Sequence, residues 1–219
     1  MQDLCFFFFL IFRRKLRILA HFLGLLSKCM EQILEKDLQI AVETIQNGGV
    51  ILYPTDTIWG IGCDARNEKA VQRIFQIKKR QEAKTMLLLA SNWEQLQKVV
   101  GSESQKAKEI IQQSNRPTTI IYPKAKNIVP QLIAEDGSVG VRITAERFSC
   151  RLCELVGFPI VSTSANISGE FSPRVFSEIS EEIKVQVDYV VKYRREDTFL
   201  SKSSKILKLQ EDTILIIRE

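Results

Sequence analysis

The stretch from Gly48 to Ala65, GGVILYPTDTIWGIGCDA, constrains the fold more than any other part of the chain. An apolar run, Val50 to Tyr53, stops at Pro54, and hydroxyl and carboxyl side chains follow at Thr55 to Thr57. In α/β proteins, a short buried strand that ends in a polar turn presents a ligand site at the carboxyl end of the strand. The stretch therefore predicts an α/β fold with a binding site directly after this strand.

Two glycines, Gly60 and Gly62, give this stretch the letters of a dinucleotide-binding fingerprint. However, Gly60 lies seven residues after Tyr53, and no acidic residue closes a second strand about 20 residues further on, as that fingerprint requires. The chain also contains no GxxxxGK[ST] sequence, which excludes a P-loop. We interpret the glycines as positions where the backbone approaches a ligand or a neighbouring strand closely.

The net charge of +5 is concentrated at the N-terminus. Residues 1–29 contain five basic residues and one acidic residue, whereas the remaining residues contain 26 basic and 25 acidic ones. A body so close to neutrality excludes a global electrostatic footprint for RNA and leaves only a local basic patch open. The 219 residues are enough for one domain with a full hydrophobic core.

Histidine and cysteine usage limits the available chemistry. The only histidine is His21, so residues 30–219 contain no histidine base, no Ser–His or Cys–His couple and no histidine metal ligand. The five scattered cysteines do not predict a disulfide framework. Cys150 and Cys153 form a CxxC without a second pair, which favours buried free thiols over a zinc or redox site. Any reaction must therefore use lysine, arginine, hydroxyls, carboxylates, backbone amides or a carried ion.

Residues 1–29 differ in character from the rest. Their first apolar run, Leu4 to Phe12, is too short to span a bilayer and is interrupted by Arg13, Arg14 and Lys15. Because Met30 is a natural start, we interpret residues 1–29 as a non-native extension, with an anchor on the membrane surface as the alternative. We expect one catalytic domain over residues 30–219 and no stable membrane insertion.

Hydrophobic periodicity predicts alternating helices and strands, which favours a mixed α/β sheet over a parallel doubly wound one. The predicted helices are Ile33–Gln46, Asn67–Lys79, Asn92–Val100, Glu103–Ser114, Glu146–Val156 and Arg174–Ile183. The predicted strands are Val50–Tyr53, Met86–Ala90, Ile120–Tyr122, Ser138–Ile143, Phe158–Val161 and Val187–Val191, with a closing hairpin of Ile206–Leu209 and Ile214–Ile217. Ser172 and Pro173 fit the start of the helix over Arg174–Ile183, which would make that start an anion site.

Three groups of residues are candidates for a binding site. Four cations at the end of the second helix either compensate the helix terminus or clamp phosphates: Lys78, Lys79, Arg80 and Lys84. Arg142, inside a strand, is either part of an ion pair or reserved for a carboxylate ligand. The small polar side chains of residues 162–169 exceed what turn chemistry needs and indicate a lined pocket.

These segments, in this order, resemble the signature of the YrdC/TsaC family, the L-threonylcarbamoyladenylate synthases. The resemblance covers nearly everything from Ile33 to Arg218. It implies a YrdC-like fold, a twisted mixed β-sheet with flanking helices around a concave basic cavity. The chain departs from the family pattern at a few positions: Arg116 replaces a common glycine, Thr144 a proline and Lys205 a threonine, and Leu89 stands where some relatives have histidine.

The activity that the resemblance implies joins L-threonine, bicarbonate or CO₂ and ATP into L-threonylcarbamoyladenylate and pyrophosphate. Mg²⁺ would arrive with ATP, because no acidic cluster predicts a dedicated metal site. The product would supply tRNA modification in the cytoplasm, through threonylcarbamoyl-transferring proteins. The family motifs place the triphosphate on Lys78, Arg80 and Lys84, with Lys78 and Arg80 nearest the developing charge. They place other parts of ATP on Thr119, Ser164, Asn166, Ser172 and Arg218, and L-threonine on Thr57, Arg142, Ser162 and Ser204.

Two other functions stay open at this point. The first is a YrdC-like module that binds double-stranded RNA or tRNA without catalysis, against which the nearly neutral body argues. The second is a domain that makes carbamoyladenylate for hydrogenase maturation. Such domains belong to long chains with zinc-finger cysteine pairs, and this sequence has neither feature.

Overall fold

A computed structural model describes residues 24–25, 28–80, 86–101, 104–198, 203–210 and 213–219. The first helix, α1, covers residues 28–46. The other helices are α2 (Glu68–Ile77), α3 (Trp93–Gln97), α4 (Gln105–Gln113), α5 (Arg147–Val156) and α6 (Glu181–Lys184), with 3₁₀ turns at Pro130–Leu132 and Phe176–Glu178. The strands are β1 (Ile51–Tyr53), β2 (Gly60–Gly62), β3 (Leu87–Ala90), β4 (Thr118–Tyr122), β5 (Val139–Ile143), β6 (Ile160–Ser164), β7 (Tyr189–Val190), β8 (Lys205–Gln210) and β9 (Thr213–Arg218).

The strands form one mixed sheet in the order β7-β1-β2-β6-β3-β5-β4-β8-β9. The pairs β1–β7, β3–β5 and β4–β8 are parallel, and the other neighbours are antiparallel. This arrangement confirms the predicted mixed α/β class. Strands β4 and β8 lie side by side although Thr119 and Ile206 are far apart in the chain, so the C-terminal hairpin forms one edge of the sheet.

The glycines of β2 permit close contact between strands. A Cβ at Gly62 would lie 2.8 Å from the ring of Tyr53, and one at Gly60 would lie 3.2 Å from Ser162 Oγ. Neither position has room for a larger side chain. The prediction that these glycines allow a neighbouring strand to approach is confirmed.

Helix α1 is tied to the far edge of the sheet by one buried carboxylate. Asp37 accepts hydrogen bonds from the Tyr189 hydroxyl and from the backbone N–H groups of Lys192 and Tyr193. The helix also buries Leu34, Leu38, Ala41 and Ile45 in the core. The prediction for residues 1–29 stays a prediction, because residues 1–23, 26 and 27 lie outside the described residues. Within the described ranges, no helix is both long enough and apolar enough to cross a membrane.

Two predicted elements are wrong in their bounds or type. Strand β6 continues to Ser164, so Ser162 to Ser164 belong to the strand itself and not to a loop after it. The helix predicted over Arg174–Ile183 does not form; a 3₁₀ turn and the short α6 take its place. The Glu178 carboxylate accepts the N–H of Arg174 at 2.7 Å, the N–H that the Ser172 side chain would accept as the cap of the predicted helix. The anion site predicted at the start of that helix is therefore wrong as well.

Candidate active site

A cavity of about 690 Å³ lies on one face of the sheet. Side chains alternate between the two faces of a sheet along each strand, so residues two positions apart on one strand point to the same face. Four strands each direct one such pair of residues to the cavity. The pairs that do so are Thr119 and Ile121 on β4, Gly140 and Arg142 on β5, Ser162 and Ser164 on β6, and Ile206 and Lys208 on β8. Among the described residues that line the cavity, four are basic (Arg80, Arg142, Lys208, Arg218) and two are acidic (Glu135, Asp136), so the surface is basic.

Arg142 lies at the floor of the cavity within a polar network. Its Nε is 3.1 Å from Asp56 Oδ1, and the side chains are 3% and 11% exposed. Its Nη2 donates to Thr57 Oγ1 at 3.3 Å and its Nη1 to Thr119 Oγ1 at 3.5 Å. Burial raises the pKa of Asp56, and the Arg142 charge opposes that shift. The ion-pair interpretation of Arg142 is confirmed. Arg142 also borders the cavity, and its role toward a carboxylate ligand stays a prediction.

A chain of hydroxyls links this network to the C-terminal hairpin. Thr119 Oγ1 and Ser204 Oγ are 2.9 Å apart, and the Arg218 guanidinium donates from Nε and Nη2 to Ser204 O. Burial lowers the pKa of Arg218, and the charges of Arg142 and Arg116 lower it further. Arg142 and Arg218 therefore both line this part of the cavity, and of the two only Arg142 forms an ion pair among the described residues, which favours an anionic ligand.

The three consecutive cations at the end of α2 are separated by a hydrogen-bonded reversal. The N–H of Lys79 donates to Gln76 O and that of Arg80 to Phe75 O, both at 3.0 Å. These two bonds form the Schellman pattern, in which Lys79 takes the left-handed position with φ 49°. Since the chain reverses at this residue, the side chains of Lys78, Lys79 and Arg80 point to different environments.

Only one of these three side chains lines the cavity. Arg80 does so, and burial lowers its pKa. Lys79 extends to the outside, where its Nζ lies 2.7 Å from a carboxylate oxygen of Glu182. The position of Arg80 is compatible with the phosphate-clamp interpretation, which stays a prediction, whereas Lys79 does not line the cavity.

Lys78 is buried behind the cavity. Its Nζ donates to the carbonyl oxygens of Ser164 and Asn166, and its own carbonyl accepts the N–H of Ser168 at 2.8 Å. Burial, and to a smaller extent the charge of Arg80, lowers the pKa of Lys78 to about 7. Lys78 thus fastens the end of α2 to the segment after β6. It does not line the cavity in this structure.

Replacing Lys79 by glycine is expected to leave the free energy of unfolding unchanged or to raise it by up to about 1 kcal/mol, because glycine adopts positive φ without strain. Replacing it by valine is expected to lower that free energy by about 1–2 kcal/mol, because a β-branched side chain is strained there. Urea unfolding of both variants measures the difference. A glycine variant less stable than the valine variant would contradict the left-handed conformation assigned to Lys79.

Asn166 and Ser172 lie in the segment that follows β6. The Asn166 amide donates to the carbonyls of Ile167 and Glu170, and its Oδ1 accepts from Ser172 Oγ at 3.4 Å. Asn166 therefore shapes the loop, while Ser172 reaches the cavity. Lys84 lies outside the described residues.

Nine of the twelve predicted site residues line this one cavity: Thr57, Arg80, Thr119, Arg142, Ser162, Ser164, Ser172, Ser204 and Arg218. Their assigned roles stay predictions. The structure also places Trp59 and Lys208 on the lining, and neither was predicted as a site residue.

Comparison with known proteins agrees with this geometry. The model of the family described as "Telomere recombination" (Sua5, YciO and YrdC) matches residues 43–219. The chain belongs to the Sua5/YciO/YrdC family.

Members of the Sua5/YciO/YrdC family from bacteria and archaea resemble the chain along most of its length. The threonylcarbamoyl-AMP synthase of Pseudoalteromonas translucida is 36% identical over 69% of this chain and 82% of its own length. The putative threonylcarbamoyl-AMP synthase of Methanocaldococcus jannaschii is 35% identical over 86% of this chain and 88% of its own.

Solved structures of the Sua5/YciO/YrdC family share the fold. P. abyssi Sua5 complexed with L-threonine superposes with a TM-score of 0.74 and 28% identity over 83% of this chain. The present chain spans 53% of that Sua5 chain, about half its length. E. coli YciO, at 24% identity, superposes with a TM-score of 0.73 over 85% of this chain and 89% of its own, which shows the fold alone.

The contact between Asp56 and the site residue Arg142 was not predicted from the sequence. Asp56 stands between Thr55 and Thr57 in the stretch that predicts the binding site, yet its partner Arg142 lies 86 positions later in the chain. The burial of a carboxylate in an otherwise apolar and hydroxyl-rich stretch is the signal that indicates a basic partner. The sequence alone does not identify which basic residue that partner is.

Proposed function

We propose that this chain is a threonylcarbamoyl-AMP synthase, which joins L-threonine, bicarbonate or CO₂ and ATP into L-threonylcarbamoyladenylate and pyrophosphate. The observation that carries the proposal is the convergence of nine predicted site residues on one basic cavity. Relatives named threonylcarbamoyl-AMP synthase support it, as does the likeness to P. abyssi Sua5 complexed with L-threonine.

In the proposed site, Arg142 pairs with the carboxylate of L-threonine. A guanidinium presents parallel N–H groups that match a carboxylate, and the present partners of Nη1 and Nη2 are hydroxyls at 3.3–3.5 Å. Thr57, Ser162 and Ser204 contribute hydroxyls around the same substrate. A bound carboxylate would replace two long hydrogen bonds by shorter charge-assisted ones.

ATP occupies the remainder of the cavity in this proposal. Arg80 and Lys84 bind the triphosphate, while Thr119, Ser164, Ser172 and Arg218 contact other parts of the nucleotide. Attack of the carbamate oxygen on the α-phosphorus forms the new P–O bond and releases pyrophosphate. Negative charge grows on the phosphoryl oxygens during this step, and Arg80 stabilises it electrostatically. Positioning and charge carry the reaction, since residues 30–219 contain no histidine.

Mg²⁺ enters with ATP in this proposal and neutralises part of the phosphate charge. Within the described residues, no three histidine, cysteine, aspartate or glutamate side chains form a group that could hold a metal ion. Of the two carboxylates on the cavity lining, Asp136 lies 2.5 Å from Lys208 Nζ. The lining is therefore suited to an anionic substrate that brings its own cation.

We further propose that the product supplies a threonylcarbamoyl group for tRNA modification in the cytoplasm, through proteins that transfer it. The mixed anhydride of a carbamate and a phosphate is reactive, so a consuming enzyme has to accept it promptly. Nothing in the near-neutral body of the chain favours extensive RNA contact instead.

Pyrophosphate release by the full chain, measured with MgATP and bicarbonate, tests the proposed function. We expect release that depends on L-threonine, with L-threonylcarbamoyladenylate identified by mass spectrometry. The absence of release from folded protein, together with salt-sensitive tRNA binding, would overturn the proposal in favour of a non-catalytic RNA-binding module.

A further inference from the structure

Asp56 and Arg142 form a buried ion pair at the edge of the candidate active site. Their side chains are 11% and 3% exposed, and Nε lies 3.1 Å from Oδ1. The two atoms face each other at an angle that gives neither a well-directed hydrogen bond, although both are inaccessible to water. The contact is therefore an electrostatic pair.

The pair engages only one edge of the guanidinium. Asp56 lies at Nε and is not among the residues that line the cavity, whereas Thr57 and Thr119, the partners of Nη2 and Nη1, both line it. The Nη1–Nη2 edge therefore borders the cavity, and the carboxylate holds the guanidinium from behind. A ligand carboxylate can take this edge by replacing the two long hydrogen bonds to the hydroxyls of Thr57 and Thr119.

The main chain that carries Asp56 is itself fastened. Arg194 donates from Nη1 to Thr55 O at 3.2 Å, and the same Nη1 lies 3.4 Å from Glu146 Oε1. Thr55 Oγ1 accepts the N–H of Thr57 at 3.0 Å and donates to Ile58 O at 2.8 Å. The turn is thus fixed on both sides of Asp56, so its carboxylate can hold Arg142 in one orientation.

We propose that Asp56 is a positioning residue for L-threonine: by pairing with Arg142 Nε, it orients the Nη1–Nη2 edge toward the substrate carboxylate. This inference rests on the proposed function, in which Arg142 binds that carboxylate. Asp56 acts through Arg142 and has no contact with the reacting atoms. Its removal therefore weakens L-threonine binding selectively.

Asp56→Asn keeps the size of the side chain and removes its charge. We expect it to raise KM for L-threonine by at least about tenfold and to change KM for ATP by less than about twofold. Asp56→Glu should restore a large part of the L-threonine affinity. Asp64→Asn is the matched control, since it breaks the Asp64–Arg66 ion pair outside the cavity and should leave both KM values unchanged. Melting temperatures are measured for all variants.

An L-threonine KM within about twofold of wild type in Asp56→Asn would overturn the inference, as would an equal rise of both KM values. If the wild-type protein shows no threonine-dependent release, the proposed function fails, and a second readout decides on Asp56. The ¹⁵N resonance of Arg142 Nε, assigned by its loss in Arg142→Lys, should shift in Asp56→Asn and stay in place in Asp64→Asn. An unshifted resonance in Asp56→Asn would overturn the positioning role.

Discussion

Replacing Arg80 by alanine is expected to lower kcat/KM for ATP by at least about 100-fold, whereas replacing the adjacent Lys79 by alanine is expected to change it by less than about twofold. The two cations are neighbours in sequence, but only Arg80 lines the cavity, and Lys79 pairs with Glu182 outside it. In the proposed function Arg80 stabilises charge that grows during phosphoryl transfer, so we expect much of the effect of its removal to appear in kcat.

The measurement is the initial rate of pyrophosphate release at varied ATP with saturating L-threonine and bicarbonate. Melting temperatures of both variants exclude a general loss of structure. Equal losses in the two variants would show that the cluster acts through its summed charge, and the proposed role of Arg80 would then be wrong.

Replacing Lys78 by methionine is expected to lower kcat/KM for ATP by at least about tenfold. The same change is expected to remove a pH-dependent contribution to the free energy of unfolding. Methionine fills a similar volume but cannot donate to the carbonyl oxygens of Ser164 and Asn166. Ser164 O keeps the N–H of Asn166 as a donor at 2.9 Å, so within the described residues it is Asn166 O that loses its partner. Those carbonyls belong to the segment that forms the cavity wall, so the wall loses its fixed position. A buried acceptor without a partner costs about 1–3 kcal/mol of folding stability.

The pH dependence follows from the lowered pKa of Lys78. In the folded protein this pKa is about 7, against an ordinary value of 10.5 in the unfolded chain. Between these values the unfolded state binds the additional proton, so the stability of the wild type should rise with pH from about 7 to about 10.5. The methionine variant should lack this contribution. Urea unfolding across that range and the ¹³Cε shift of Lys78 measure it; identical pH profiles in the two proteins would contradict the assignment.

The sequence predicts the location of site residues well where a family motif lies on a strand with an alternating pattern of side chains. Arg142 lies in an alternating strand, and the polar residues of β6 follow an apolar run, so their common surface follows from the period of two. The environment of Lys78 and Lys79 could not be predicted in the same way. Their environment depends on the residue at which α2 ends and on the left-handed conformation of Lys79. A sequence pattern defines the end of a helix less well than its interior.

The helix predicted over Arg174–Ile183 was wrong because another side chain takes the place of the predicted cap. Ser172 and Pro173 fit a helix start, yet the Glu178 carboxylate takes the N–H of Arg174 and a 3₁₀ turn forms. Likewise, the Asn166 side chain bonds to backbone carbonyls of its own loop, and its assignment to ATP stays a prediction. Such competition is decided by three-dimensional proximity, which residue propensities do not contain.

The parallel pairing of β4 with β8 has a consequence for how the protein folds. Thr119 and Ser204 are 85 positions apart, yet their hydroxyls meet in the cavity. Closing a loop of this length is entropically costly and comes late relative to local helices and hairpins. A chain in which β4 and β8 are not yet paired lacks the complete cavity, so we expect it not to bind the two proposed substrates. Since only the finished fold binds, MgATP and L-threonine should protect the entire sheet against unfolding.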